Sequence, residues 1–264
     1  AYKKAFKSGG IDNSALPTAS INPLSPTFEG FDALIYDSEE ADGFEIGLKS
    51  NLFDNNMRIN ATYYKYEYTD LQVQLFDANI IQFSTFNAGA VETEGFEADM
   101  LWYTDIEGLT LRGQFAWTDA INTGDFFNTS GVNLKGSERS YSPEIAGSLG
   151  LSYDSSLFSG WRYTFSTDAR YSDDYAWGVY RNSPRQDSYW INDAAISIYS
   201  EDGKHSINLI GRNLGDEIVI VTGGSTPGRI GTRTVPGIEA ALLQDQNVTT
   251  QQGRTVTLQY KYKM

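Results

Sequence analysis

The chain has 264 residues, with 20 Lys and Arg against 34 Asp and Glu, one His, no Cys and 14% aromatic residues, which gives a formal net charge of −14. This acidic balance argues against a phosphate-binding face of clustered Lys and Arg, so we expect no nucleic-acid partner. With no Cys and only His205, the chain lacks the residues for disulfides, thiolate zinc sites, a multi-histidine metal centre or a Ser/His/Asp triad, and no apolar run is long enough for a membrane-spanning helix.

Segments of about ten residues that alternate between apolar and polar side chains fill most of the chain. In the last segment, apolar side chains occupy the even positions from 256 to 264 and polar side chains the odd positions from 255 to 263. The sequence therefore predicts ten amphipathic β-strands, over residues 1–7, 43–53, 57–75, 86–103, 109–120, 144–154, 161–175, 189–200, 205–214 and 254–264.

The connections between these strands alternate in length. Short turns rich in Asp, Asn and Gly are predicted at 54–56, 104–108, 155–160 and 201–204. The longer connections are predicted at 8–42, 76–85, 121–143, 176–188 and 215–253. Outer-membrane barrels have short periplasmic turns, long extracellular loops and strands that alternate apolar-out and polar-in. The pattern predicts an all-β, antiparallel transmembrane barrel, with a soluble β-sandwich or lectin-like domain as the alternative.

Three segments outside the strands carry other signals. Residues 218–226 resemble a strand that enters a glycine-rich phosphate loop, but they lack its Gly-Lys-Ser/Thr end and are followed by Pro227. Residues 237–246 predict a short helix within the last long connection. Asp173 and Asp174 are two adjacent carboxylates without further oxygen ligands at a defined spacing, which is typical of a solvated loop and not of a Ca²⁺ site.

Candidate substrate-binding residues lie in two of the long connections. In or beside 176–188 they are Tyr175, Trp177, Tyr180, Arg181 and Arg185. Their rings and guanidinium groups suit an anionic, ring-bearing ligand through stacking and charge-assisted hydrogen bonds. Phe126 and Phe127, in 121–143, share this character. The alternative is that these side chains belong to an interfacial girdle that anchors the barrel rim.

Six short motifs place Gly, Asn and aromatic residues at strand ends. They are AYKKAFKSGG at 1–10, EADGFEIGLK at 40–49, ATYY with YTDLQ within 61–72, NAG with EGFE within 87–97, GRNLGDE at 211–217 and GR at 253–254. Each motif is common in barrels, but their joint order resembles that of the TonB-dependent outer-membrane receptors.

The resemblance implies a plugged barrel of about 22 strands, of which residues 1–264 form roughly the last ten. The plug domain and the N-terminal barrel strands would then lie outside this chain. Residues 1–7 are already strand-like, as if the chain began partway along a strand. Because bare sheet edges in hydrocarbon cost several kcal/mol for each unpaired group, either other strands complete the barrel or these ten close on themselves.

Nine charged residues are predicted to face the barrel lumen, where we expect structural pairs, contacts with water or contacts with the plug. They are Glu45, Lys49, Glu97, Asp99, Arg112, Asp168, Arg170, Asp193 and Arg212.

The function implied by the resemblance is energy-coupled, TonB-dependent uptake of a scarce substrate across the bacterial outer membrane. A ferric siderophore is the leading substrate, with cobalamin, haem and oligosaccharides as the others. The implied partners are outer-membrane lipid, a TonB-type periplasmic energy-coupling protein that acts through segments outside this chain, and a small-molecule or metal-chelate substrate. No catalytic residue, metal site or cofactor is expected. The alternative function is that of an adhesin or structural protein built as a self-contained ten-stranded barrel.

Overall fold

A computed structural model of the chain describes residues 1–12, 35–77, 82–127, 132–178, 184–225 and 246–263. All regular secondary structure in these ranges is β-strand, in eighteen elements. No helix within them is long and apolar enough to cross a membrane.

Ten of the strands form one antiparallel sheet, in which each strand pairs with the next of the ten along the chain. They are β1 (Tyr2–Lys7), β4 (Glu39–Leu52), β5 (Met57–Thr69), β8 (Ala90–Tyr103), β9 (Leu109–Asn122), β10 (Ile145–Phe158), β11 (Trp161–Ser172), β14 (Tyr189–Ser200), β15 (His205–Arg212) and β18 (Thr255–Tyr262). Each of the ten predicted strands corresponds to one of these, so the predicted all-β antiparallel architecture is confirmed.

Four further pairs of short strands extend from the long connections. They are β2 (Gly10–Ile11) with β3 (Ile35–Tyr36), β6 (Gln72–Asp77) with β7 (Gln82–Asn87), β12 (Tyr175–Ala176) with β13 (Arg185–Gln186), and β16 (Ile220–Ser225) with β17 (Gln246–Thr250). We call the edge of the sheet that carries these ribbons the ribbon edge, and the opposite one the short-turn edge. The sequence predicted these segments as loops, except that residues 72–75, 86–87 and 175 fall within the strands predicted at 57–75, 86–103 and 161–175.

The short turns are closed by residues in the left-handed backbone region. Phe53, Asp54 and Asn55, between β4 and β5, have φ angles of 51°, 53° and 70°. Asp and Asn tolerate this region better than other residues with a side chain. Between β10 and β11 the predicted turn at 155–160 is too long. Strand β10 continues to Phe158, and Gly160, with φ of 79°, allows the chain to reverse at once.

Two predicted strands are interrupted where they leave the sheet. The strand predicted at 57–75 stops at Thr69, because Asp70 takes a φ of 53° and turns the chain into the β6–β7 ribbon. The strand predicted at 86–103 begins only at Ala90, after Gly89 with φ of 48°. Both breaks lie at the ribbon edge, where the chain passes from the sheet to a ribbon.

The segments with other sequence signals also belong to this edge. The phosphate-loop-like segment at 218–226 forms β16 from Ile220 to Ser225, a strand of a ribbon. Of the helix predicted at 237–246, residues 237–245 lie outside the described residues, and Gln246 begins β17.

The sheet has an apolar and a polar face, and the apolar face is open to the surroundings. Leu48, Leu149 and Leu258 on this face are 63%, 65% and 73% exposed. Among the described residues no large side chain is fully buried, so the apolar rows do not pack against each other in a dry interior. This arrangement is expected when the face contacts lipid and not a second sheet.

The polar face is concave. It encloses a hollow of about 670 Å³, whose lining includes Asn60 on β5, Arg170 on β11 and Gln251, just before β18. Tyr189 on β14 also lines the hollow, and β5 and β14 are third and eighth in the strand order, so the sheet curls towards its polar side.

Candidate functional site

A row of charged side chains crosses the middle of the polar face and is paired within itself. Arg112 Nη2 lies 3.2 Å from Asp168 Oδ2, and Arg170 Nη2 lies 3.0 Å from Asp193 Oδ2. Gly150 separates Arg112 from Asp168 in the register, and a Cβ at Gly150 would lie 2.6 Å from Arg112 Nε and 2.7 Å from Asp168 Oδ2. The absence of a side chain at Gly150 therefore allows the ion pair to form across β10.

A second paired group lies closer to the short-turn edge. Asp154 accepts hydrogen bonds from Arg162, from the Tyr199 hydroxyl and, at 2.8 Å, from Thr164 Oγ1. Three strands contribute to this group, so it ties β10, β11 and β14 together. Because its polar atoms are bound to each other, the group is structural.

The other predicted inward charges also lie on the polar face. Asp99 accepts from Asn60 Nδ2 at 2.9 Å, and Glu45 pairs with Lys3 at 2.5 Å. Lys49, Glu97 and Arg212 form no ion pair with a described residue. The wall thus combines internally paired charges with a few that form no ion pair, of which Glu97 lines the hollow.

A series of tyrosines runs along β5 towards the ribbon edge. Tyr64, Tyr66 and Tyr68 alternate with side chains of the apolar face, and their successive ring centroids are 6.2 and 6.5 Å apart. Tyr66 donates to Glu45 Oε1 at 2.5 Å, and the Tyr64 hydroxyl lies 3.2 Å from Thr118 Oγ1. These contacts place the three rings, which we call the tyrosine ladder, on the concave polar face.

Arg139 is a half-buried cation beyond the end of the paired row. Its backbone N–H donates to the Ala120 carbonyl at 2.9 Å, and the Ile121–Glu138 bridge continues the sheet there. The side chain donates from Nη1 to Asn122 Oδ1 at 3.1 Å. No carboxylate of the described residues forms an ion pair with it. Burial lowers the pKa of the Arg139 guanidinium, since desolvation disfavours its charged form.

The predicted site residues Tyr175 and Trp177 lie in a packed cap formed by two ribbons and the 121–143 connection. They are 7% and 4% exposed. The Tyr175 hydroxyl donates to the Ile220 carbonyl at 2.9 Å, and burial raises the pKa of Tyr175 to about 12. Trp177 lies over Gly223, where any Cβ would overlap its ring, and its Nε1 has no hydrogen-bond partner in the described part of the chain.

The other predicted site residues are spread over the same end of the molecule. Arg185 pairs with Glu138 and, at 2.6 Å, with Asp174, and these carboxylates raise the pKa of its guanidinium. Phe126 is buried, whereas Phe127 is exposed. Tyr180 and Arg181 lie outside the described residues. A role of these residues in binding substrate stays a prediction.

Asp173, Asp174 and His205 make contacts within the protein. Asp174 pairs with Arg185, and Asp173 accepts from the Tyr171 hydroxyl at 3.3 Å. Within the described ranges no three His, Cys, Asp or Glu side chains come together to hold a metal ion. His205 lies at the short-turn edge, with Nδ1 at 2.8 Å from the Tyr260 hydroxyl.

Sequence reasoning missed the tyrosine ladder and Arg139. The ladder has a signal in the sequence, because Tyr at positions 64, 66 and 68 in a strand must share one face. Arg139 has none, since its place depends on the Ile121–Glu138 bridge.

Comparison with known proteins identifies the family to which the chain belongs. Residues 1–214 match the family model described as "TonB dependent receptor-like, beta-barrel". The chain belongs to the TonB-dependent receptor β-barrel family. The predicted family is thereby confirmed, and TonB-dependent receptors are outer-membrane proteins of Gram-negative bacteria, which also confirms the predicted localisation. No curated protein sequence matches the chain.

Solved structures of TonB-dependent receptors share the fold. The ferric yersiniabactin uptake receptor FyuA from Yersinia pestis is 15% identical, with a TM-score of 0.71 over 99% of this chain and 34% of that one. The siderophore receptor PiuA from Acinetobacter baumannii is 20% identical, with a TM-score of 0.65 over 99% and 33%. The ferric-catecholate import receptor Fiu from E. coli K12 is 18% identical, with a TM-score of 0.62 over 99% and 32%. The chain therefore spans about a third of the length of these receptors.

Proposed function

We propose that this TonB-dependent receptor barrel takes up a ferric siderophore across the outer membrane. The observation that carries the proposal is the family match over residues 1–214 together with the concave polar wall and its hollow. The homologues are transport receptors and not enzymes. Three neighbours are named for ferric yersiniabactin, for siderophores and for ferric catecholates, which supports iron chelates as the substrate class.

We further propose that the ten-stranded sheet is the C-terminal part of a longer barrel, completed by strands and a plug domain outside this chain. Two features support this. The outer strands β1 and β18 pair with only one neighbour each in the described sheet, and the structural neighbours are about three times as long. In this arrangement the energy-coupling protein contacts other segments, and the wall described here contributes lipid contacts on one face and substrate contacts on the other.

Transport by the full-length receptor tests the proposal. The receptor would be expressed in an iron-starved strain without other siderophore receptors, and uptake of radioactive iron from a panel of ferric chelates would be measured. We expect uptake of at least one chelate, and loss of that uptake when the TonB gene is deleted. Uptake of none, or uptake unchanged without TonB, would contradict the proposal.

A further inference from the structure

The tyrosine ladder offers aromatic surface on the side of the wall where substrate is proposed to pass. Aromatic rings usually pack into dry cores, but Tyr64, Tyr66 and Tyr68 remain only half-buried on the concave face. Tyr64 lies across the neighbouring strand at Gly95, where a Cβ would come within 2.5 Å of the Tyr64 hydroxyl. A glycine at this position thus leaves room for the end of the Tyr64 ring over β8.

The register places Arg139 on the same face as the tyrosine ladder, three strand spacings away from Tyr66. Tyr66 pairs with Thr93, Thr93 pairs with Ala120, and Ala120 accepts the backbone hydrogen bond of Arg139. Tyr66 and Arg139 are therefore separated by roughly 14 Å, which is three inter-strand spacings of about 4.8 Å. The side chains between them, Thr93 and Ala120, are small, so they leave space on the polar face between the Tyr66 ring and the Arg139 guanidinium.

Arg139 differs from Arg185 in how its charge is balanced. Arg185, in the cap, pairs with both Glu138 and Asp174. Arg139 is more deeply buried, yet its side chain donates to a neutral amide oxygen and forms no ion pair with a described residue. Glu39 attracts the Arg139 guanidinium electrostatically but forms no ion pair with it. The desolvated guanidinium is therefore a partner for an anionic oxygen, because such hydrogen bonds are charge-assisted.

We propose that the tyrosine ladder and Arg139 together bind an anionic ferric chelate whose iron-ligating oxygens are carried on aryl rings, such as catecholates or phenolates. The rings of the chelate stack on Tyr66 and Tyr68, and its negative charge is met by Arg139. This inference rests on the proposed function and narrows its substrate class. A cationic chelate without rings would gain nothing from the ladder and would be repelled by Arg139.

Equilibrium binding to the purified full-length receptor tests the inference with two probes. One is the ferric complex of a tripodal tris-catecholamide, which is anionic and carries aryl rings. The other is ferric desferrioxamine B, a cationic tris-hydroxamate without rings. We expect the catecholate to bind more tightly to the native receptor. Tighter binding of the hydroxamate would overturn the inference and leave the proposed function standing, whereas binding of neither would contradict both.

Variants then assign the effect to the named residues. We expect Arg139→Gln to weaken catecholate binding about tenfold or more, Arg139→Lys to weaken it less, and Tyr68→Leu to weaken it about three- to tenfold. Lys135→Gln, which removes an exposed cation from the same connection, is the matched control and should change binding less than twofold. Heat-modifiable gel mobility confirms that each variant is folded. An equal loss for both probes in folded Arg139→Gln would make Arg139 structural and overturn the inference.

Discussion

The two faces of the sheet hold their charges at different heights. Among the described strand residues of the apolar face, charged side chains lie near the ribbon edge, where Lys4 pairs with Glu40 at 3.0 Å and Lys65 pairs with Glu92 at 2.8 Å. Nearer the short-turn edge, the apolar rows of β4, β5 and β8 carry no charge. The height at which charge stops on this face marks where the surroundings change from polar headgroups to hydrocarbon.

On the polar face, charge continues through the full height of the wall. It runs from Glu45 through the row of Arg112 and Asp168 to Asp154 near the short turns. A wet lumen tolerates charge at every depth, and most of these groups pair with a neighbour on the next strand. The contrast shows that each face is adapted to a different solvent, and each prediction below compares one face with the other.

The largest effect is expected from placing a charge at the same height on each face. Leu149→Lys puts an ammonium group into hydrocarbon and should destabilise the folded receptor by about 2–4 kcal/mol. Ser148→Lys, one residue earlier, puts the same group on the polar face and should cost less than about 1 kcal/mol. Urea titration of the full-length receptor in lipid vesicles measures both. Equal losses for the two variants would remove the distinction between the faces.

Adding a methyl group to a glycine on each face should give a smaller difference. Gly150→Ala forces apart Arg112 and Asp168, an exposed pair whose loss should cost about 0.5–1 kcal/mol. At Gly113, on the apolar face, the nearest atom to an added Cβ is Leu149 Cδ2 at 3.4 Å, an ordinary contact. Gly113→Ala should therefore be close to neutral in the same titration. A greater loss for Gly113→Ala would show that the charged row does not stabilise the wall.

The smallest difference is expected from removing a lysine on each face. Lys65→Gln leaves Glu92 and Glu94 without their cation on the apolar face, and Lys49→Gln removes a polar-face lysine without an ion-pair partner in the described structure. We expect the first to lower the melting temperature slightly and the second to leave it unchanged, since exposed pairs contribute less than about 1 kcal/mol. High salt should reduce the effect at Lys65 by screening. A salt-insensitive loss at Lys65 would argue against an electrostatic cause.

Local sequence signals were sufficient to predict the ten-stranded sheet. Alternation with period two and turn residues such as Asp54 and Asn55 act within a few positions, so each strand can be identified by itself. The ribbons could not be predicted in this way. Their contacts join distant segments, as when the Tyr175 hydroxyl donates to the Ile220 carbonyl, 45 residues away.

The candidate site was harder to predict for the same reason. Trp177 and Arg185 are residue types that are typical of binding loops. The sequence alone cannot show that Trp177 packs into the cap or that Arg185 has two carboxylate partners. Arg139 is the opposite case, because the sequence did not mark it as a candidate and the structure did. It gave no signal in the sequence, and only the pairing of its segment with β9 brings it to the polar face.

The most direct test of a wall with lipid on one face and water on the other is a spin-label scan of β11 in the full-length receptor. This chain has no Cys, so each substitution in it adds one defined thiol. We expect collisions with oxygen, which concentrates in lipid, to peak at positions 163, 165, 167 and 169 and to fall at 164, 166 and 168. Oxygen accessibility without this alternation, or with its maxima at the even positions, would contradict the account.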